Sequence, residues 1–115
     1  MKYNKDNAFY KIIHKELKSN ILLEGEHYIV IHDIRPKAPV HVLIITKGEY
    51  TDWYDFVTQA NPSEIVDLNR AIAKTIDLLG LKEGGYKIIS NSGKFGMQEV
   101  PHMHVHVLGN ASENE

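Results

Sequence analysis

Three histidines alternate with apolar residues in the segment Pro101-His102-Met103-His104-Val105-His106-Val107-Leu108. In an extended strand, alternate side chains point to the same face. The spacing predicts a strand over Val100–Leu108 with His102, His104 and His106 in a row on one face. Met103, Val105 and Val107 then turn to the opposite face, toward a core. The strand has one chemical face and one apolar face, and the fold must serve both.

A purely structural reading is costly, because each buried imidazole needs its own polar partner. Zinc is an alternative, since it binds histidine nitrogens at ~2.0–2.1 Å in tetrahedral geometry. His102 and His106 would lie roughly 13 Å apart at ~3.3 Å per residue. A pair two residues apart can share one ion, but three on a straight strand fit poorly, and no cysteine is present to complete a thiolate site. A linear imidazole row suits the phosphate chain of a nucleotide. One ring can attack phosphorus and carry the group covalently. Its neighbour can handle a proton near neutral pH.

The length of 115 residues points to one domain with one core. An apolar content of 43% is too high for a disordered chain. The net charge is −2 with the signs interspersed, which argues against a broad nucleic-acid surface but not against a local phosphate site. Without cysteine there are no disulfides. The polar start Met1–Asn7 does not read as a signal peptide, and no apolar run approaches the ~18–20 residues that span a membrane. The expectation is a soluble cytoplasmic protein in a single domain over 1–115, packed about residues 8–109, with 1–7 and 110–115 flexible.

Phe9, Ile12, Ile13 and Leu17 fall at helical spacing and predict a short helix or turn within 8–18. Short strands are expected at Ile21–Glu24 and His27–Asp33, followed by a turn at Arg35-Pro36-Lys37-Ala38-Pro39. The apolar run Val40–Thr46 reads as a central strand. Tyr50, Trp53, Tyr54, Phe56 and Val57 form an aromatic cluster expected to cover a core. Asn61-Pro62-Ser63-Glu64 is a helix start, and Ile65, Leu68, Ile72, Ile76 and Leu79 share one face before Gly80. Gly84-Gly85 is a turn, Tyr86–Ser90 a strand and 91–96 a loop. This order predicts an α+β fold in which two antiparallel meanders are joined by one long helix. His14 and His27 read as solvated.

The chain resembles the histidine triad (HIT) family, and within it the Hint-like branch. The hallmark His-φ-His-φ-His-φ-φ, with φ apolar, stands here as His102-Met103-His104-Val105-His106-Val107-Leu108. Phe9-Tyr10-Lys11-Ile12-Ile13 resembles the family's Phe-x-x-Ile-Ile opening, and Asp33-Ile34-Arg35-Pro36-Lys37-Ala38 through His41 resembles its Asp-Ile-x-Pro-x-Ala-x-x-His block. Asn91-Ser92-Gly93 and Gln98-Glu99-Val100 resemble the family's approach to the triad. The resemblance implies a five-stranded antiparallel sheet and a homodimer with a continuous ten-stranded sheet. It also implies a purine mononucleotide ligand of AMP or GMP type, and hydrolysis or transfer at the α-phosphate through a nucleotidyl-histidine. No cofactor or metal is implied.

Carried over by motif, His104 is the nucleophile, His106 orients it or holds phosphate, and His102 serves proton transfer at the leaving atom. Asp33 accepts from the ribose hydroxyls, a role favoured over capping the turn beside it. Phe9, Ile12, Ile31, His32 and Ile34 line the base pocket. Asn91 and the backbone of Gln98, Glu99 and Val100 contact phosphate or the leaving group. His41 lies behind the triad and fixes a tautomer. Two residues depart from the family pattern: Glu99 replaces a serine found in some members, and Met97 replaces a common glycine. A nucleotide-binding or protein-interaction module without turnover would carry the same residues.

Overall fold

Val40-His41-Val42-Leu43-Ile44-Ile45-Thr46 is β-branched or apolar at nearly every position, as a strand buried on both faces requires. It is the central strand of a five-stranded antiparallel sheet. The computed structural model describes residues 2–111. In chain order the strands are β1 (Ile21–Glu24), β2 (Tyr28–His32), β3 (Val40–Thr46), β4 (Tyr86–Ile89) and β5 (His104–Gly109). Across the sheet they run β1-β2-β3-β5-β4. The register sets His106 beside Leu43 and His104 beside Ile45.

Three helices accompany the sheet: α1 (Ala8–Ile13), α2 (Trp53–Gln59) and α3 (Pro62–Leu78). Leu68, Ala71, Ile72 and Ile76 of α3 pack on Val42, Ile44, Met103, Val105 and Val107. Each such large aliphatic side chain contributes about 1.5–3 kcal/mol on burial. The opposite face is narrower, with Phe9 and Ile12 of α1 on Ile29, Ile31, Leu43 and Ile45. α3 starts where expected: Pro62 occupies the first turn, and Glu64 accepts from the Asn61 N–H at 3.1 Å. Gly80 ends it at φ +68°, a left-handed conformation that glycine adopts freely. The Tyr50 hydroxyl donates to Glu64 at 2.9 Å, and burial together with that carboxylate pushes the phenol up to about 12.

Several expectations are corrected. β5 begins at His104, not Val100. Pro101 has no N–H to give a ladder. The His102 N–H folds back to the Val100 carbonyl at 2.8 Å, and the Met103 N–H bonds the Tyr50 carbonyl at 2.7 Å. The three histidines are therefore not a single strand row. α1 stops at Ile13, and Lys15 at φ +64° reverses the chain, leaving Leu17 exposed rather than on the apolar stripe.

Residues 53–59 form a helix whose start is capped by Asp52, which accepts from the Asp55 N–H at 2.9 Å. Of its aromatics, Phe56 is buried while Trp53 and Tyr54 are exposed. His27 is tied to Asp67 of α3 at 3.0 Å, so it is not simply solvated. Within 1–7, Asn7 is buried and caps α1 by accepting from the Tyr10 N–H at 2.9 Å. Of the expected tail 110–115, residues 112–115 lie outside the described residues. Among the described residues no helix is long and apolar enough to cross a membrane.

Candidate active site

His104 and His106 leave β5 on the face away from α3, and their ring centroids lie 5.0 Å apart. Together with Phe9, Asp33, Lys37, Leu43, Asn91, Met97, Glu99 and Val100 they line a cleft of about 220 Å³. A larger hollow of about 350 Å³ lies at the ends of β4 and β5, but no histidine or carboxylate lines it. The chemistry is concentrated in the smaller cleft.

Hydrogen-bond partners set the proton on each ring. His104 Nδ1 lies 2.7 Å from the His102 carbonyl, which can only accept, so Nδ1 carries the hydrogen. Its Nε2 is left with a lone pair. The Lys37 backbone N–H donates to His41 Nδ1 at 3.1 Å, so neutral His41 carries its hydrogen on Nε2. That hydrogen meets His106 Nδ1 at 3.0 Å, and Asp33 Oδ2 at a longer 3.4 Å. His106 therefore accepts at Nδ1 and presents an N–H at Nε2. Among the described residues no buried side-chain nitrogen lacks a partner, so the unpaired Nε2 atoms of His104 and His106 are open to solvent. Two adjacent imidazoles thus carry opposite tautomers, one offering a lone pair and the other a donor.

Burial depresses the basicity of all three motif histidines. It brings His106 down to about 4, aided by the neighbouring His104 and His41 rings. His102 also falls to about 4 through burial, opposed by its bond to the Thr46 carbonyl. His104 falls below the usual histidine value by burial, opposed by the His102 carbonyl.

His102 is fully buried and does not line the cleft. Its Nε2 donates to the Thr46 carbonyl at 2.6 Å, and its Nδ1 accepts from the Tyr3 hydroxyl. Neither nitrogen is free for the expected proton transfer. Asp33 both caps a turn, accepting from the Arg35 N–H at 2.7 Å, and faces the cleft. Phe9 stands edge-on to His104 at 4.8 Å between centroids. Ile12 and Ile31 belong to the apolar cluster rather than the cleft wall, His32 is half-buried and Ile34 is exposed. Gln98 also lies outside the cleft wall. It braces the loop, accepting from Gly93 N–H at 3.0 Å and donating to the Thr51 carbonyl at 2.7 Å.

Met97 is at φ +60°, a conformation that favours glycine over L side chains, and it lines the cleft. Gly96 is required beside it, since a Cβ there would stand 2.3 Å from the Ser92 carbonyl oxygen. The sequence reading missed Lys37 and Leu43 of the cleft wall. Leu43 was legible as the inward partner of His41 on β3, whereas Lys37 sat in a turn with no pattern of its own.

Asp33, His41 and His106 lie within 4.8 Å of one another, a spacing that metals use. The hydrogen on His41 Nε2 occupies the position a metal would need, and moving it to Nδ1 would oppose the Lys37 N–H. Through these bonds the cluster orders the hydrogen between His41 and His106.

This sequence and fold match known proteins. A profile of the HIT domain matches residues 14–113, and the chain belongs to the HIT family. A 13.2 kDa HIT-like protein of Azospirillum brasilense is 44% identical over 106 residues, covering 92% of this chain and 87% of that protein. The solved structure of a HIT family hydrolase from Clostridium thermocellum has TM-score 0.81 and 40% identity, covering 96% of this chain and 95% of that one. Another, from Legionella pneumophila, has TM-score 0.85 and 32% identity, covering 93% and 95%.

Proposed function

We propose that the chain is a Hint-like HIT hydrolase or nucleotidyl transferase. It acts at the α-phosphate of a purine nucleoside phosphoramidate or related adenylate. The opposed tautomers of His104 and His106 carry this reading. His104 Nε2 attacks phosphorus, the bond to the leaving nitrogen breaks as that nitrogen departs as an amine with a proton taken up from solvent, and a nucleotidyl-histidine forms. Water then attacks the same phosphorus, the Nε2–P bond breaks with its electron pair returning to Nε2, and the proton of the water is released to solvent. His106 and Lys37 line the same cleft, and the His106 Nε2–H and the Lys37 ammonium would stabilise the developing charge on the phosphate oxygens. Asp33 accepts from the ribose hydroxyls through the oxygen not used in its turn, Phe9 flanks the base, and Asn91 holds phosphate. The membership in a family that includes named hydrolases supports this assignment.

The test is hydrolysis of adenosine 5′-phosphoramidate by wild type and His104→Ala, alongside AMP binding. Turnover should fall on the order of 10⁴-fold or more while AMP binding stays within about threefold. Binding without turnover in the wild type would replace the enzyme by a nucleotide-binding module.

We also propose a cytoplasmic homodimer paired through β4. This strand is at the edge of the sheet, with Tyr86 and Ile88 exposed. Light scattering at working concentration should give the mass of two chains, and a monomer mass would reject the pairing.

A further inference from the structure

Tyr3 lies outside the motifs of the sequence, yet it is bonded to the histidine that precedes the nucleophile. The directions of those bonds are forced. Asn7 accepts at Oδ1 from the Tyr10 N–H, so its amide nitrogen is the end that meets the Asn4 carbonyl at 2.8 Å and the Tyr3 hydroxyl oxygen at 3.0 Å. The hydroxyl receives that hydrogen and points its own at His102 Nδ1. On the far side of the ring, Nε2–H is fixed by the Thr46 carbonyl. The Tyr3 ring packs edge-on to His102 at 5.4 Å between centroids. Every polar atom of the His102 ring is thereby used, and its carbonyl remains to hold His104 Nδ1 at 2.7 Å.

We propose that Tyr3 is a positioning residue. Its hydroxyl locks His102 in the Nε2–H tautomer, and the His102 carbonyl then holds the His104 ring with its lone pair on Nε2. The N-terminal segment is a latch on the nucleophile. This rests on the reading of His104 given above, and it gives the buried His102 a task that needs no free nitrogen.

The experiment combines Tyr3→Phe with imidazole ¹⁵N NMR of the full-length labelled chain and phosphoramidate turnover. The wild-type spectrum must show His102 protonated at Nε2 alone at neutral pH; protonation at Nδ1 overturns the proposal. In Tyr3→Phe, which keeps the ring, kcat should fall about tenfold with KM within about twofold, the worth of one lost hydrogen bond. The His102 and His104 nitrogen signals should shift toward mixed tautomers. Tyr10→Phe, which alters a neighbouring ring 6.4 Å from Tyr3, should change neither readout. Wild-type signals in Tyr3→Phe, or shifted signals with undiminished turnover, would each overturn the proposal. If the wild type and His104→Ala are equally idle, the functional reading fails, and the nitrogen signals in Tyr3→Phe still decide the latch.

Discussion

The two faces of β5 use one alternation for opposite ends. Val105 and Val107 of β5, with Met103 just ahead of the strand, meet aliphatic side chains of α3, where shape and volume suffice and no bond has a direction. His104 and His106 meet carbonyls and ring nitrogens, where one hydrogen on the wrong atom changes what the side chain can do. The first face supplies stability that is spread over many contacts. The second depends on single bonds, each backed by a residue from another part of the chain. Losses on the two faces should therefore appear in different measurements.

The largest expected effect on the apolar face comes from Leu68→Ala. Leu68 is 2% exposed and packs within the cluster that holds Val105 and Val107. The substitution should cost about 3–4 kcal/mol in urea unfolding, from lost transfer energy and the cavity left behind. Turnover per folded molecule should stay within about twofold. A fall in kcat matching the stability loss would mean that the faces are coupled, and the contrast would fail.

Acid should reverse the pattern by acting on the histidine face. The folded value for His102 is about 4, below the ordinary ~6.5 of an unfolded histidine. Between these values the unfolded chain takes up a proton that the folded chain refuses. The stability is complete above about pH 6.5 and is lost as pH falls toward about 4, on the order of 3 kcal/mol from His102. His106 adds a smaller share because its ring is partly open to solvent. Urea unfolding between pH 7 and 5 checks this, and a flat stability there would show that neither ring is held neutral.

Much of this was legible, and the exceptions share a cause. β3 and α3 were read within a residue because their signals are local: a β-branched run and an Asn-Pro-x-Glu start. The faces of Val105 and His104 followed from period two. The start of β5 was misplaced because alternation continues through Val100-Pro101-His102, while the backbone there bonds to Tyr50 and Val100 instead of a ladder. α2 was read as an aromatic patch because Trp53 and Tyr54 point to solvent and show no helical stripe. Tyr3 was missed because it acts through one bond to a residue 99 positions away in sequence, and Lys37 because it sits in an irregular turn whose bond to His41 no period encodes.

The smallest of these effects is the most diagnostic of direction. His41 is buried and joins the Lys37 backbone to His106, so His41→Ala removes the donor that keeps hydrogen off His106 Nδ1. His106 could then present a lone pair instead of an N–H toward phosphate, and the two rings of the cleft would become alike. The expected loss is about 30-fold in kcat, equivalent to about 2 kcal/mol of transition-state stabilisation. AMP binding should change far less, because the ground-state phosphate keeps Lys37. His41→Gln retains an N–H near the position of Nε2 and should recover part of the loss. Equal activity in the Ala and Gln variants would show that His41 acts by filling space, and the histidine face would then resemble the apolar face more than its bonds suggest.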